Sequence, residues 1–324
     1  VPTERSFIPL LVAISITSCA PRKEPDPPYK APPVAPSAEV DPQALAALKA
    51  LIPRQACNRV TGCPGLTALA QHGEKVLEPA RLALLTPGKP EGFWVLALIE
   101  LLGTLGEPEA THILVPLLDD KRWETRIAAA RALGLMGAHI LPSGREALAT
   151  HLASPNLDPT FHAALAFASW RTAPPSASAP HRETLLTLLP RSAEAVAATA
   201  HPQLDIFVRL VGDARLPEAL PTVRFAMLSG NRFVHITALD VAGLLQDSGA
   251  IPYALALLNN PNPTVRKESI RALQRITGAQ LDTADTWLAW GRQHGLEPAK
   301  SPVSQSGNGG SSSPLGTDQG PDGP

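Results

Sequence analysis

The side chains best placed to do chemistry are three cysteines and nine histidines, and their spacings narrow what that chemistry can be. A thiol acts as thiolate, as a nucleophile, a metal ligand or an attachment point. Cys57 and Cys63 have five residues between them in A-C-N-R-V-T-G-C-P-G, with Thr61-Gly62 offering a turn before the second thiol. An oxidising compartment would close them into a small-loop disulfide, contributing about 2 kcal/mol on chain-entropy grounds, and two buried free thiols are the alternative. The spacing is neither a C-x-x-C redox pair nor half of a zinc site. The histidines, at 72, 112, 139, 151, 162, 181, 201, 235 and 294, are accompanied by no H-E-x-x-H, G-x-S-x-G or phosphate-loop pattern. His112, His162 and His235 fall among apolar neighbours in helical stretches, which reads as core or groove histidine rather than ligand. Asp119-Asp120 occupies the place that Asn259-Asn260 takes in a related stretch, so turn and cap roles are expected there instead of an acid/base pair. No catalytic, cofactor-binding or metal-ligating residue is expected, and the chain is read as a non-enzyme.

Cys19 is different in kind. It ends an apolar run, Ser6–Thr17, that is too short to span a bilayer and has the length of a signal-peptide apolar region. The tetrad Ile16-Thr17-Ser18-Cys19 resembles the bacterial lipobox, an aliphatic residue and small residues before a cysteine. That resemblance implies a diacylglyceryl thioether on Cys19, removal of residues 1–18 and acylation of the new N-terminus. Two or more acyl chains, at about 0.8 kcal/mol per buried CH₂, anchor stably where one is marginal. Ala20 rather than Asp after the cysteine implies outer-membrane sorting, with the protein facing the periplasm.

These residues need elements to position them, and the composition shows where elements can form. Of 35 prolines, nine lie between Pro21 and Pro53 and five between Pro298 and Pro324. Residues 19–41 therefore read as a lipidated cysteine followed by an extended, polyproline-like tether. Residues 298–324 lack apolar periodicity and are expected to be disordered. Twenty-eight basic against 29 acidic residues give no basic excess to neutralise phosphates, so no nucleic-acid partner is expected.

Between the tails, residues 42–297 are Ala/Leu-rich with helical spacing and internal repetition. Glu109–Leu133 lies without a gap over Gly249–Leu273, pairing Leu117-Leu118 with Leu257-Leu258, Arg126 with Arg266, and Arg131-Ala132-Leu133 with Arg271-Ala272-Leu273. Gly103-Thr104-Leu105-Gly106 recurs 31 residues later as Gly134-Leu135-Met136-Gly137. Periods in this range mean stacked arrays. The motifs at 117–137 and 257–278 resemble the HEAT-repeat family, of the short bacterial type related to phycobilisome-lyase-like repeats. The resemblance implies an all-α, α-α superhelix: a solenoid of about six helical pairs, near 65–105, 107–136, 143–171, 181–211, 216–246 and 249–277, flanked by disordered tails. The fourth lacks the arginine and the Ala-Leu-Gly run. Arg126 and Arg266 are expected to bridge neighbouring repeats. Trp287 and Trp290, three apart on one helix face, are expected to cap the last repeat.

The expectation is a lipoprotein held at the bacterial cell envelope through Cys19, whose solenoid surface binds a protein partner. A lyase-like or other enzyme on a HEAT scaffold is the alternative, and a HEAT-like DNA-binding module a more remote one.

Overall fold

The computed structural model describes residues 40–52, 63–86, 92–190 and 203–300, so Cys19, Cys57, the tether up to residue 39 and the tail beyond Lys300 lie outside the described residues. The described chain is all helix and turn, without strands. Two short helices, α1 (Pro42–Leu51) and α2 (Leu66–Ala70), lead into six helical pairs. These are α3 (Leu77–Leu85) with α4 (Phe93–Leu105), α5 (Thr111–Leu114, extended by the 3-10 turn Val115–Asp119) with α6 (Trp123–Met136), and α7 (Pro142–Leu152) with α8 (Pro159–Thr172). Then follow α9 (Ala179–Leu188) with α10 (Leu204–Ala214), α11 (Leu220–Ala226) with α12 (Arg232–Leu244), and α13 (Ile251–Leu257) with α14 (Pro263–Thr277). The last helix is α15 (Ala284–Gln293).

Local chemistry sets many of the boundaries. Asp41, Asp158 and Asn262 each stand before a proline and accept hydrogen bonds from the exposed N–H groups of the first turn, as in Asn262 Oδ1 from Thr264 N at 2.9 Å. An Asx residue followed by proline is a strong start, because proline lacks only an N–H that would be orphaned there anyway. Gly106 and Gly278 stop α4 and α14 in the left-handed region, at φ 69° and 76°.

The second helices of the pairs stack on one another: α4 on α6, α6 on α8, α10 on α12 and α12 on α14. Small residues let them approach. A Cβ on Gly103 would lie 2.7 Å from the Cα of Ala132, and one on Gly134 would strike Phe167 and the backbone of Ala168. Gly243, standing 140 residues after Gly103, sits over Ala272 in the same register. The repetition seen in the sequence is thus a repeated close approach of helices.

The stack is irregular at the fourth pair. Helix α8 is apolar nearly all round, with Phe161 and then every residue from Ala163 to Ser169 buried, and it packs on α9 more than on α10. A helix apolar on all sides needs neighbours on all sides. At the far end α15 packs on α13 and α14, with Trp287 fully buried and its indole N–H donating to the Leu281 carbonyl at 2.8 Å. Trp290 meets Trp287 edge to face, and Ala299 N donates to Pro252 O at 2.9 Å.

Candidate functional site

Glu100 on α4, Arg131 on α6 and Asp213 on α10 form a cluster of charge on the stacked helices, with Arg209 of α10 also acting on Glu100. The Arg131 guanidinium lies between two carboxylates. Its Nη1 and Nη2 meet the two Glu100 oxygens at 3.2 Å, while its Nε and Nη2 donate to Asp213 Oδ2 and Oδ1. The Arg131 side chain is only 13% exposed, against 43% for Glu100. Burial alone would push its guanidinium down; the charges of Asp213 and Glu100 outweigh that and hold it above its ordinary value. Burial would raise Glu100, but Arg131 and then Arg209 keep its carboxyl below the usual range. Asp213 sits in the last turn of α10, the end a carboxylate disfavours, so Arg131 also offsets the helix dipole there.

Other charged contacts also join pairs. Arg224 on α11 grips Asp247 with Nε and Nη2 at 2.8 and 2.6 Å, and Asp247 Oδ1 accepts from Gly249 N besides. The Asp247 side chain is 2% exposed, and a side chain on Gly249 would fall on the guanidinium. The hydrogen bond to Asp247 holds Arg224 above its ordinary value against the opposing effect of burial. Arg275 on α14 reaches Asp240 on α12 at 2.7 Å, and Arg182 on α9 reaches Glu218 ahead of α11 at 2.6 Å.

Arg126 and Arg266 act more locally than expected. Arg126 Nη1 donates to the Asp120 and Lys121 carbonyls of its own turn, and its guanidinium also lies 5.7 Å from the centre of the Phe161 ring in the next pair. Arg266 Nη1 donates to the Asn260 and Pro261 carbonyls. Both chiefly close the turn within a pair, where carbonyls left free at the end of the first helix need donors. Asp120 and Asn260 play matching parts, accepting from the N–H two residues on.

Cys63 is disulfide-bonded, with its partner outside the described residues. His112 is exposed and His162 half-buried. His235 is buried; its Nε2 must donate to the Ser229 carbonyl, leaving Nδ1 buried without a partner. Burial pushes its imidazole down, with that hydrogen bond opposing. Among the described residues no three His, Cys, Asp or Glu side chains converge as metal ligands would, and no helix is long and apolar enough to cross a membrane. The Arg131 cluster was not anticipated, since its members are separated by 31 and 82 residues and only the superposed Arg131/Arg271 pair hinted at it.

Residues 96–168, from within α4 to within α8, match the family model of HEAT repeats. Among solved structures, the chain is similar to human deoxyhypusine hydroxylase in complex with glycerol, at 18% identity and a TM-score of 0.41, over 73% of this chain and 96% of that one. It is also similar to an engineered protein, at 18% identity and a TM-score of 0.29, over 76% of this chain and 71% of that one. No curated protein matches the sequence.

Proposed function

We propose that this chain is a membrane-anchored HEAT-repeat scaffold of the bacterial cell envelope, tethered through lipid on Cys19 and binding a protein partner on its solenoid surface without catalysis. The observation that carries the reading is where the charges on the stacked helices go. Arg131 with Glu100 and Asp213, and Arg224 with Asp247, are engaged in joining one helical pair to another. Charges paired between helical pairs in this way hold a shape, which is what a binding surface requires and what a reacting centre, with groups free to exchange protons, does not. The address rests on the apolar run Ser6–Thr17 and the Ile16-Thr17-Ser18-Cys19 tetrad. Under this reading the Pro-rich residues 20–41 hold the array away from the bilayer, and a Cys57–Cys63 disulfide closes the loop between α1 and α2.

Fractionation of cells producing the wild-type chain and Cys19→Ala tests the anchor. The wild type is expected in the outer-membrane pellet, with a lipid-modified N-terminal peptide by mass spectrometry, and the variant in soluble fractions. Equal pelleting of both would defeat it.

A further inference from the structure

We propose that Arg131 is a tie that sets the geometry of the whole array by locking its first three helical pairs to the irregular fourth, and through it to the last two, at the break in the stack between α8 and α10. Three observations carry this. The stack of second helices is continuous from α4 to α8 and again from α10 to α14, and α8 gives more of its contact to α9 than to α10. Arg131 reaches past α8 to Asp213, which lies 82 residues on in the chain, while the same guanidinium holds Glu100 on the adjacent α4. Its counterpart by superposition, Arg271, turns instead to Glu268 one turn back on its own helix, so the long reach is not a general property of that repeat position.

The arrangement divides the labour between two carboxylates. Glu100 belongs to the same half of the array as Arg131 and orients the guanidinium; Asp213 belongs to the other half and completes the lock. Thr160 at the start of α8 and Gln203 just before α10 form a second, uncharged link at the opposite end of α10 from Asp213. A planar guanidinium can serve both carboxylates at once because its donors are fixed in a fork, which a lysine cannot reproduce. Arg131 is thus a positioning residue for the surface, and this role depends on neither the anchor nor the identity of a partner.

The test measures the distance between the halves in the full chain. Spin labels are attached through p-acetylphenylalanine at Glu146 on α7 and Lys267 on α14, both exposed, leaving the cysteines untouched. Distances are compared in the parent chain, Asp213→Asn and Glu100→Gln, with circular dichroism confirming that each is folded. Asp213→Asn is expected to broaden the distribution and shift its mean by several ångström, Glu100→Gln to leave the mean in place, and Arg131→Lys to behave like Asp213→Asn. An unchanged distribution in folded Asp213→Asn would overturn the proposal. Equal shifts in Asp213→Asn and Glu100→Gln would overturn it too, because the cluster would then be a packing unit without a division between halves.

Discussion

At the scale of single residues, close packing and burial make the sharpest predictions. Gly103→Ala gains up to about 1 kcal/mol of helix propensity but drives a methyl into the backbone of Ala132, an overpacking that costs about 1–3 kcal/mol. Urea unfolding should therefore show net destabilisation, whereas Gly230→Ala, with nothing within 4 Å, should be close to neutral. Asp247→Asn removes the charge opposite Arg224 at a site 2% exposed and is expected to cost about 3–5 kcal/mol in the same measurement. His235 supplies a pH dependence. Its folded imidazole is pushed below the unfolded value of about 6.5, so the unfolded chain takes up the proton first as pH falls. Stability should decline from about pH 6.5 downward until the folded imidazole itself protonates. Glu100, held below its unfolded value of about 4.3, adds a loss only in more acid solution. Comparing unfolding midpoints at pH 7 and 5.5 for wild type and His235→Gln checks this: the wild type should lose more stability than the variant over that interval.

At the scale of the helices, starts and stops were legible because they depend on neighbours in sequence. Pro263 at a helix entry, Gly278 at a helix stop and the matching turns at Asp119-Asp120 and Asn259-Asn260 all stand where local spacing placed them. The six pairs followed from the same signals, and the weak fourth motif coincides with the place where α8 turns to α9. The partners of the arginines were not legible in this way. Arg126 and Arg266 answer the free carbonyls one turn away, while the bridges between pairs fall to Arg131, Arg224 and Arg275, whose carboxylates are fixed only by the stacking. Capping at α14 can be tested directly. Asn262→Ala leaves the N–H groups of Thr264 and Val265 without their acceptor and should cost about 1 kcal/mol, read as a lowered midpoint in thermal unfolding. Trp287→Ala, which empties a fully buried site between α15 and the last pair, should cost about 3–5 kcal/mol.

At the scale of the molecule, the excess of proline divides between tails and punctuation: Pro42, Pro159 and Pro263 begin helices, while Pro21–Pro36 and Pro298–Pro324 fall in or beside the two ends. The described helical array then has a simple logic. Small residues set the spacing of its second helices, charged pairs join one helical pair to the next, and Trp287 covers the last of them. Under the proposed function, the tether carries that surface to where a partner is met. The measurement that bears most directly on this is crosslinking of the native, tethered chain in living cells, followed by its capture and identification of what is joined to it. A scaffold predicts recovery of a defined envelope protein, with crosslinks mapping to the helices of the array and lost in Cys19→Ala. Recovery of no envelope protein from the tethered wild-type chain would contradict it.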